Sequence, residues 1–169
     1  GYDPKSIDFV FETHSHIDHI GRLPKLFKEG FRGIVYTTPA TRDLMAVALP
    51  DNAQHIAREA QEAGHAPLYE QKDIDGLMSL VRGADYGQML DLGGISAMLH
   101  DAGHILGSAF IEFRWSDGEA PKKIVFSGDM GNPPTPLLKP TEFIHDADYI
   151  VIESAYGDRV HEDRQERRA

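Results

Sequence analysis

The chain has 169 residues, 41% hydrophobic and 26% charged, the composition of one ordinary globular domain long enough to bury a core. Its net charge of −10 excludes a generally basic nucleic-acid-binding surface, though not a local basic cleft. Cysteine is absent, which excludes disulfides and thiolate metal sites; with no apolar run near the ~20 residues needed to cross a bilayer and no signal peptide ahead of the first strand, the expectation is a cytoplasmic protein without a membrane span.

In chain order, "SIDFVFET" (6–13) reads as a buried strand and "HIGRLPKLFKEG" (19–30) as a short helix, with Pro24 near its first turn and Gly30 ending it. "GIVYTT" (33–38) is a β-branched and aromatic strand. A helix over 39–49 starts at Pro39 and carries a stripe of Leu44, Val47 and Ala48, and Pro50 is expected to interrupt it. Further helices are expected over 52–64 and 72–81. From about residue 87 the period changes to that of strands: 88–92, 95–102, 108–115, 122–129 and 149–154, with turn signals at Gly93-Gly94 and Asp117-Gly118. The charged tail, 158–169, is expected to begin a helix. Strands and helices mix, so the fold class is a layered α/β domain.

The most informative stretch is "FETHSHIDHIG" (11–21). His14 and His16 stand two apart at a strand end, where residues of that spacing point the same way and can reach one cation. Asp18 and His19 follow where the chain turns into a helix, close enough to face a second point. Two later glycine-flanked loops supply further ligands: "DAGHILGSA" (101–109) places His104 before a strand, and "VFSGDMGN" (125–132) places Asp129 just past one. A carboxylate leaving a strand in such a turn can bridge two cations with its two oxygens. Nitrogen and oxygen donors without sulfur suit Zn2+, with Mn2+ or Fe as alternatives. His55 and His65 are expected at the surface, His100 as a packed strand residue, and His145 at a helix end.

These motifs resemble the metallo-β-lactamase superfamily and, more narrowly, its β-CASP ribonuclease branch, the bacterial and archaeal relatives of the cleavage and polyadenylation specificity factor nuclease. "THSHIDHIGRLP" matches the H-x-H-x-D-H motif with its Gly-Arg-Leu-Pro extension, "DAGHILGSA" and "FSGDMG" match the next two ligand motifs, and "YTTPAT" (36–41) matches that nuclease group. "IESAYGDRVH" (152–161) resembles the acidic motif opening the β-CASP insertion, with Ala155 where threonine is usual.

The resemblance implies an αββα sandwich with a dinuclear zinc site at its edge. His14, His16 and His104 would hold one metal, Asp18 and His19 the second, and Asp129 would bridge. Catalytic roles would fall to Asp18, holding the attacking water, and Glu153, orienting groups of the insertion; His161 is a further candidate. The N-terminal strands, the insertion and the C-terminal part of the family fold are missing, so 1–157 is expected to be a partial metallo-β-lactamase domain and 158–169 the start of the insertion or its linker. The implied function is metal-dependent hydrolysis of RNA, single-stranded, by the intact parent. The fragment itself is expected to be inactive or, through exposed strand edges, a homodimer. A small-ester or thioester hydrolase of the same fold, and a non-catalytic pseudonuclease subunit, are the alternatives.

Overall fold

The structure, a computed structural model, describes residues 1–116, 118, 120–131, 137–155, 157 and 158. The first half of the chain alternates strands with helices and builds a parallel sheet. Strand β1 (Phe9–Phe11), β2 (Ile34–Thr37) and β3 (Val81–Gly83) lie in the order β1-β2-β3. The crossovers are α1 (Ile17–Ile20) and α2 (Leu23–Lys28), then α3 (Pro39–Glu62) and α4 (Gln71–Leu80). The second half meanders: β4 (Leu90–Asp91), β5 (Ile95–Asp101), β6 (Ala109–Trp115) and β7 (Lys122–Phe126) pair antiparallel in sequence order. A fifth strand, β8 (Tyr149–Val151), adds parallel to β7 at the edge. No helix among the described residues is long and apolar enough to cross a membrane.

Burial explains the layering. The helices pack their apolar faces on one side of the first sheet around Ile20, Phe31, Val35, Met45, Leu49, Tyr69, Ile74 and Leu77. Full burial of side chains this size stabilises by ~1.5–3 kcal/mol each before conformational entropy is subtracted. The other side of that sheet meets the second sheet, where Phe11 stands edge-on to Phe113 with ring centroids 4.8 Å apart and joins the cluster of Ala84, Leu99 and Ala109. Helices, sheet and sheet give three of the four expected layers. Across the outer face of the second sheet the described chain lays an irregular strap, with Ile144 and Ala147 against Ala102, Phe110 and Val125. Beneath it, buried Glu112 faces Arg114, Lys123 at 3.7 Å and His100 at 3.3 Å, while the other ring nitrogen of His100 meets Glu142 at 3.1 Å. His100 is thus a strand residue bracketed by two carboxylates, one of them on the strap.

Several expected elements differ. The helix expected over 19–30 is two short ones, because the chain leaves α1 at Gly21 and Arg22 and re-enters the helical course with Pro24 in the first turn of α2. The two helices expected on either side of Pro50 are one, α3, which runs through it. Proline removes one backbone bond there, but Met45, Leu49 and Ala60 are buried along a single line, so tertiary packing on both sides of Pro50 overrides the break. Strand β3 was hidden in the apolar end of the helix expected over 72–81; Val81 is already extended and pairs with Val35. The strand expected over 6–13 is shorter, following a 3-10 turn at Pro4–Ser6. His145 lies in the irregular strap, not at a helix end. The helix start expected at 158–169 falls, apart from Asp158, outside the described residues.

Candidate metal centre

Three loops converge at one end of the two sheets. The first leaves β1 and carries His14 and His16 before α1; His16 is the N-terminal flank of that helix, in extended backbone. The second joins β5 to β6 and carries His104. The third leaves β7 and carries Asp129. One ligand atom from each of His14, His16, His104 and Asp129 lies within 4.8 Å of all the others. His14 Nε2 stands 3.0 Å from His16 Nδ1, and His104 Nε2 3.3 Å from the same atom. Asp129 Oδ2 lies 3.7 Å from both His14 Nε2 and His104 Nε2. A tetrahedral zinc with bonds of ~2.0–2.1 Å separates its ligand atoms by roughly 3.3 Å. The donor set, three imidazoles and a carboxylate, and its spacing both fit such an ion.

The other oxygen of the same carboxylate turns the opposite way. Asp129 Oδ1 is 3.4 Å from His19 Nε2, which is 3.8 Å from Asp18 Oδ2. Asp129 therefore addresses both groups, the buried histidines with one oxygen and His19 with the other. The second group is open: the Asp18 side chain is 78% exposed, and among the described residues only the first group closes into a compact ligand set.

The electrostatics favour ligands over cations. Burial, followed by the neighbouring His19, pushes the His14 imidazole down to about 4, and burial lowers His104 as well. Both rings are neutral near pH 7, the state in which a ring nitrogen can ligate. Just before the cluster, Glu12 is buried, and that burial pushes its carboxyl up to about 8.

Glu153 lies behind the candidate cluster. Its carboxylate accepts the backbone N–H of Met130, and its own N–H donates to Ser127 Oγ at 3.0 Å, so it braces the turn that presents Asp129. His55 and His65 are exposed, and His161 lies outside the described residues. Sequence reasoning passed over the hydroxyls. Thr13 Oγ1 is 3.0 Å from His14 Nδ1, and Ser108 Oγ accepts the N–H groups of His104 and Ile105 at 3.0 and 3.2 Å. Thr38 and Thr41, at the start of α3, both donate to the carbonyl of Gly107, at 2.7 and 2.9 Å, and hold the His104 loop from the other side. A signal was present: each ligand loop carries a serine or threonine within four positions of its ligand.

Comparison with known proteins agrees with this geometry. The family model described as the metallo-beta-lactamase superfamily matches residues 1–159. The chain is 40% identical over 161 residues to Ribonuclease TTHA0252 of Thermus thermophilus, covering 95% of this chain and 35% of the ribonuclease. It is 38% identical over 154 residues to Transcription termination factor FttA of Pyrococcus horikoshii, covering 89% of this chain and 23% of that factor. The chain thus spans about a third or less of the length of these curated relatives. A Cronobacter sakazakii metallo-beta-lactamase superposes with a TM-score of 0.53 at 20% identity, over 81% of this chain and 46% of that one, a likeness of fold. The chain belongs to the metallo-beta-lactamase superfamily, and the ribonuclease and termination factors among its relatives agree with the β-CASP branch read from its motifs.

Proposed function

We propose that this chain carries the metal centre of a β-CASP ribonuclease that hydrolyses single-stranded RNA in the cytoplasm. The observation that supports it most is the convergence of His14, His16, His104 and Asp129 within 4.8 Å, in a chain 40% identical to a ribonuclease. We read 1–157 as part of the sandwich and 158–169 as the start of the insertion or its linker.

His14, His16, His104 and Asp129 would hold a divalent ion, zinc by their donor set, and such an ion when bound would supply a Lewis acid for the phosphate and lower the pKa of water. The chain's own residues do the rest. The neutral rings of His14 and His104 offer lone pairs without a proton having to leave first. Asp129 turns its second oxygen to His19, which with Asp18 forms the open group and the place for a second ion. Asp18, exposed at the mouth, is placed to hold and orient the attacking water. Glu153 acts one step back, keeping Asp129 on its turn. With a net charge of −10, this chain offers little to grip an RNA backbone, so that charge would come from elsewhere in a longer protein.

The test is cleavage of an end-labelled single-stranded RNA by the protein that contains this chain, with zinc or manganese, with chelator, and as His16→Ala and Asp18→Asn variants. Expected is ion-dependent cleavage that both variants abolish without unfolding. Cleavage that survives chelator or Asp18→Asn would refute the assignment, and hydrolysis of small thioesters without RNA cleavage would move the protein to another branch of the superfamily.

A further inference from the structure

Thr13 touches all three candidate ligand loops. Its side chain reaches His14 Nδ1 at 3.0 Å. Its carbonyl accepts the N–H of Ala109 at 2.7 Å, at the end of the loop that begins with His104. Its Cβ and Oγ1 lie flush against Gly128, the residue before Asp129: a methyl group added at Gly128 would come within 2.6 Å of Thr13 Cβ and 2.7 Å of Oγ1. Gly128 also has φ +52°, so this close crossing and the backbone turn both call for glycine.

We propose that Thr13 is a positioning residue for the metal centre: its hydroxyl fixes the tautomer and ring plane of His14, and its backbone and Cβ hold the His104 and Asp129 loops in register with that ring. The inference rests on the reading of the four-residue cluster as an ion site. The chemistry is direct. An imidazole that gives its Nε2 lone pair to an ion keeps its proton on Nδ1, and that proton needs an acceptor. His14 Nε2 faces His16 and Asp129, and its Nδ1 faces Thr13 Oγ1. His14 is fully buried, so water cannot take the acceptor's place. Without the hydroxyl the buried N–H is unpaired, and the other tautomer, with its proton on the nitrogen that faces the cluster, becomes competitive.

The experiment compares wild type with Thr13→Val, which keeps the shape and loses the hydroxyl, and Thr13→Ser, which keeps the hydroxyl and loses the methyl. Zinc affinity is measured by competition with a chromophoric chelator, and the His14 tautomer by nitrogen-15 NMR of the ion-free protein. Expected is a loss of about 10–100-fold in zinc affinity for Thr13→Val, with Thr13→Ser near wild type. In the ion-free protein, His14 should hold its proton on Nδ1 in wild type and Thr13→Ser and lose that preference in Thr13→Val. A valine variant that binds zinc like wild type with an unchanged tautomer overturns the proposal while leaving the ion site standing. A serine variant that loses affinity overturns it too, and keeps the test decisive if the valine variant does not fold. A wild-type chain that binds no zinc overturns the ion-site reading and this inference with it.

Discussion

Glu12 sits on the β1 side of the metal centre with 7% of its surface exposed, and burial holds its carboxyl at about 8 against an ordinary 4.5. Between those two values the folded chain keeps a proton that the unfolded chain has released. Folding therefore takes up a proton in that window, and stability falls as pH rises. The contribution is whole below pH 4.5, is lost progressively towards pH 8, and is gone above it. A tenfold difference in proton affinity between the folded and unfolded chains is worth ~1.4 kcal/mol, so the window spans on the order of 5 kcal/mol, a large share of a domain's net stability. Glu12→Gln removes the proton but keeps the shape. Urea denaturation of both proteins at pH 5 and pH 8, in chelator so that no cation stands nearby, isolates this group, because every other titrating residue is shared. The stability of the glutamine variant relative to wild type should rise by about 3–4 kcal/mol from pH 5 to pH 8. A difference that does not change with pH would refute the claim that the Glu12 carboxyl is protonated in the fold.

Other consequences are as direct. Gly76→Ala normally favours a helix, but a methyl group there would meet the Phe27 ring at 2.2 Å; the variant should lose ~1–3 kcal/mol by thermal or chemical denaturation, because α2 and α4 pack at that point. Ser108→Ala leaves the N–H groups of His104 and Ile105 without their acceptor; it should cost ~1–3 kcal/mol and weaken zinc binding, read by denaturation and chelator competition on the same sample. His16→Ala should abolish tight binding of the first ion, measured by elemental analysis after zinc loading and desalting, while circular dichroism stays that of the wild type.

The cluster was legible in the sequence because its signal is local: His14, His16, Asp18 and His19 fall within six positions, and His104 and Asp129 sit beside glycines at strand ends; the structure brings His14, His16, His104 and Asp129 together. Their division into two groups was read through the family resemblance, not from spacing alone. The structure adds that the two oxygens of Asp129 turn opposite ways, one to His14 and His104 and the other to His19. Glu153, read through the resemblance as orienting groups of the insertion, accepts the Met130 N–H within the described residues, a contact that local sequence could not foretell. Runs of apolar and β-branched residues between turn signals located all five strands of the second sheet, though β4, β7 and β8 are shorter than expected. Pro50 misled because a local breaker was weighed without the core contacts on both sides of it, and β3 was lost because three extended residues after an apolar helix leave no period to detect.

The ligand set also has a meaning for how this domain assembles. His16 and His104 are 88 positions apart, and they come from opposite sheets. Neither half of the chain owns a binding site; one exists only when the two sheets have docked in the right register. Ion capture is then a proofreading step, open to correctly assembled chains alone. At a free ion level a thousandfold above the dissociation constant it would favour them by ~4 kcal/mol. Metal uptake during refolding should therefore lag behind helix formation and report the arrival of the second sheet.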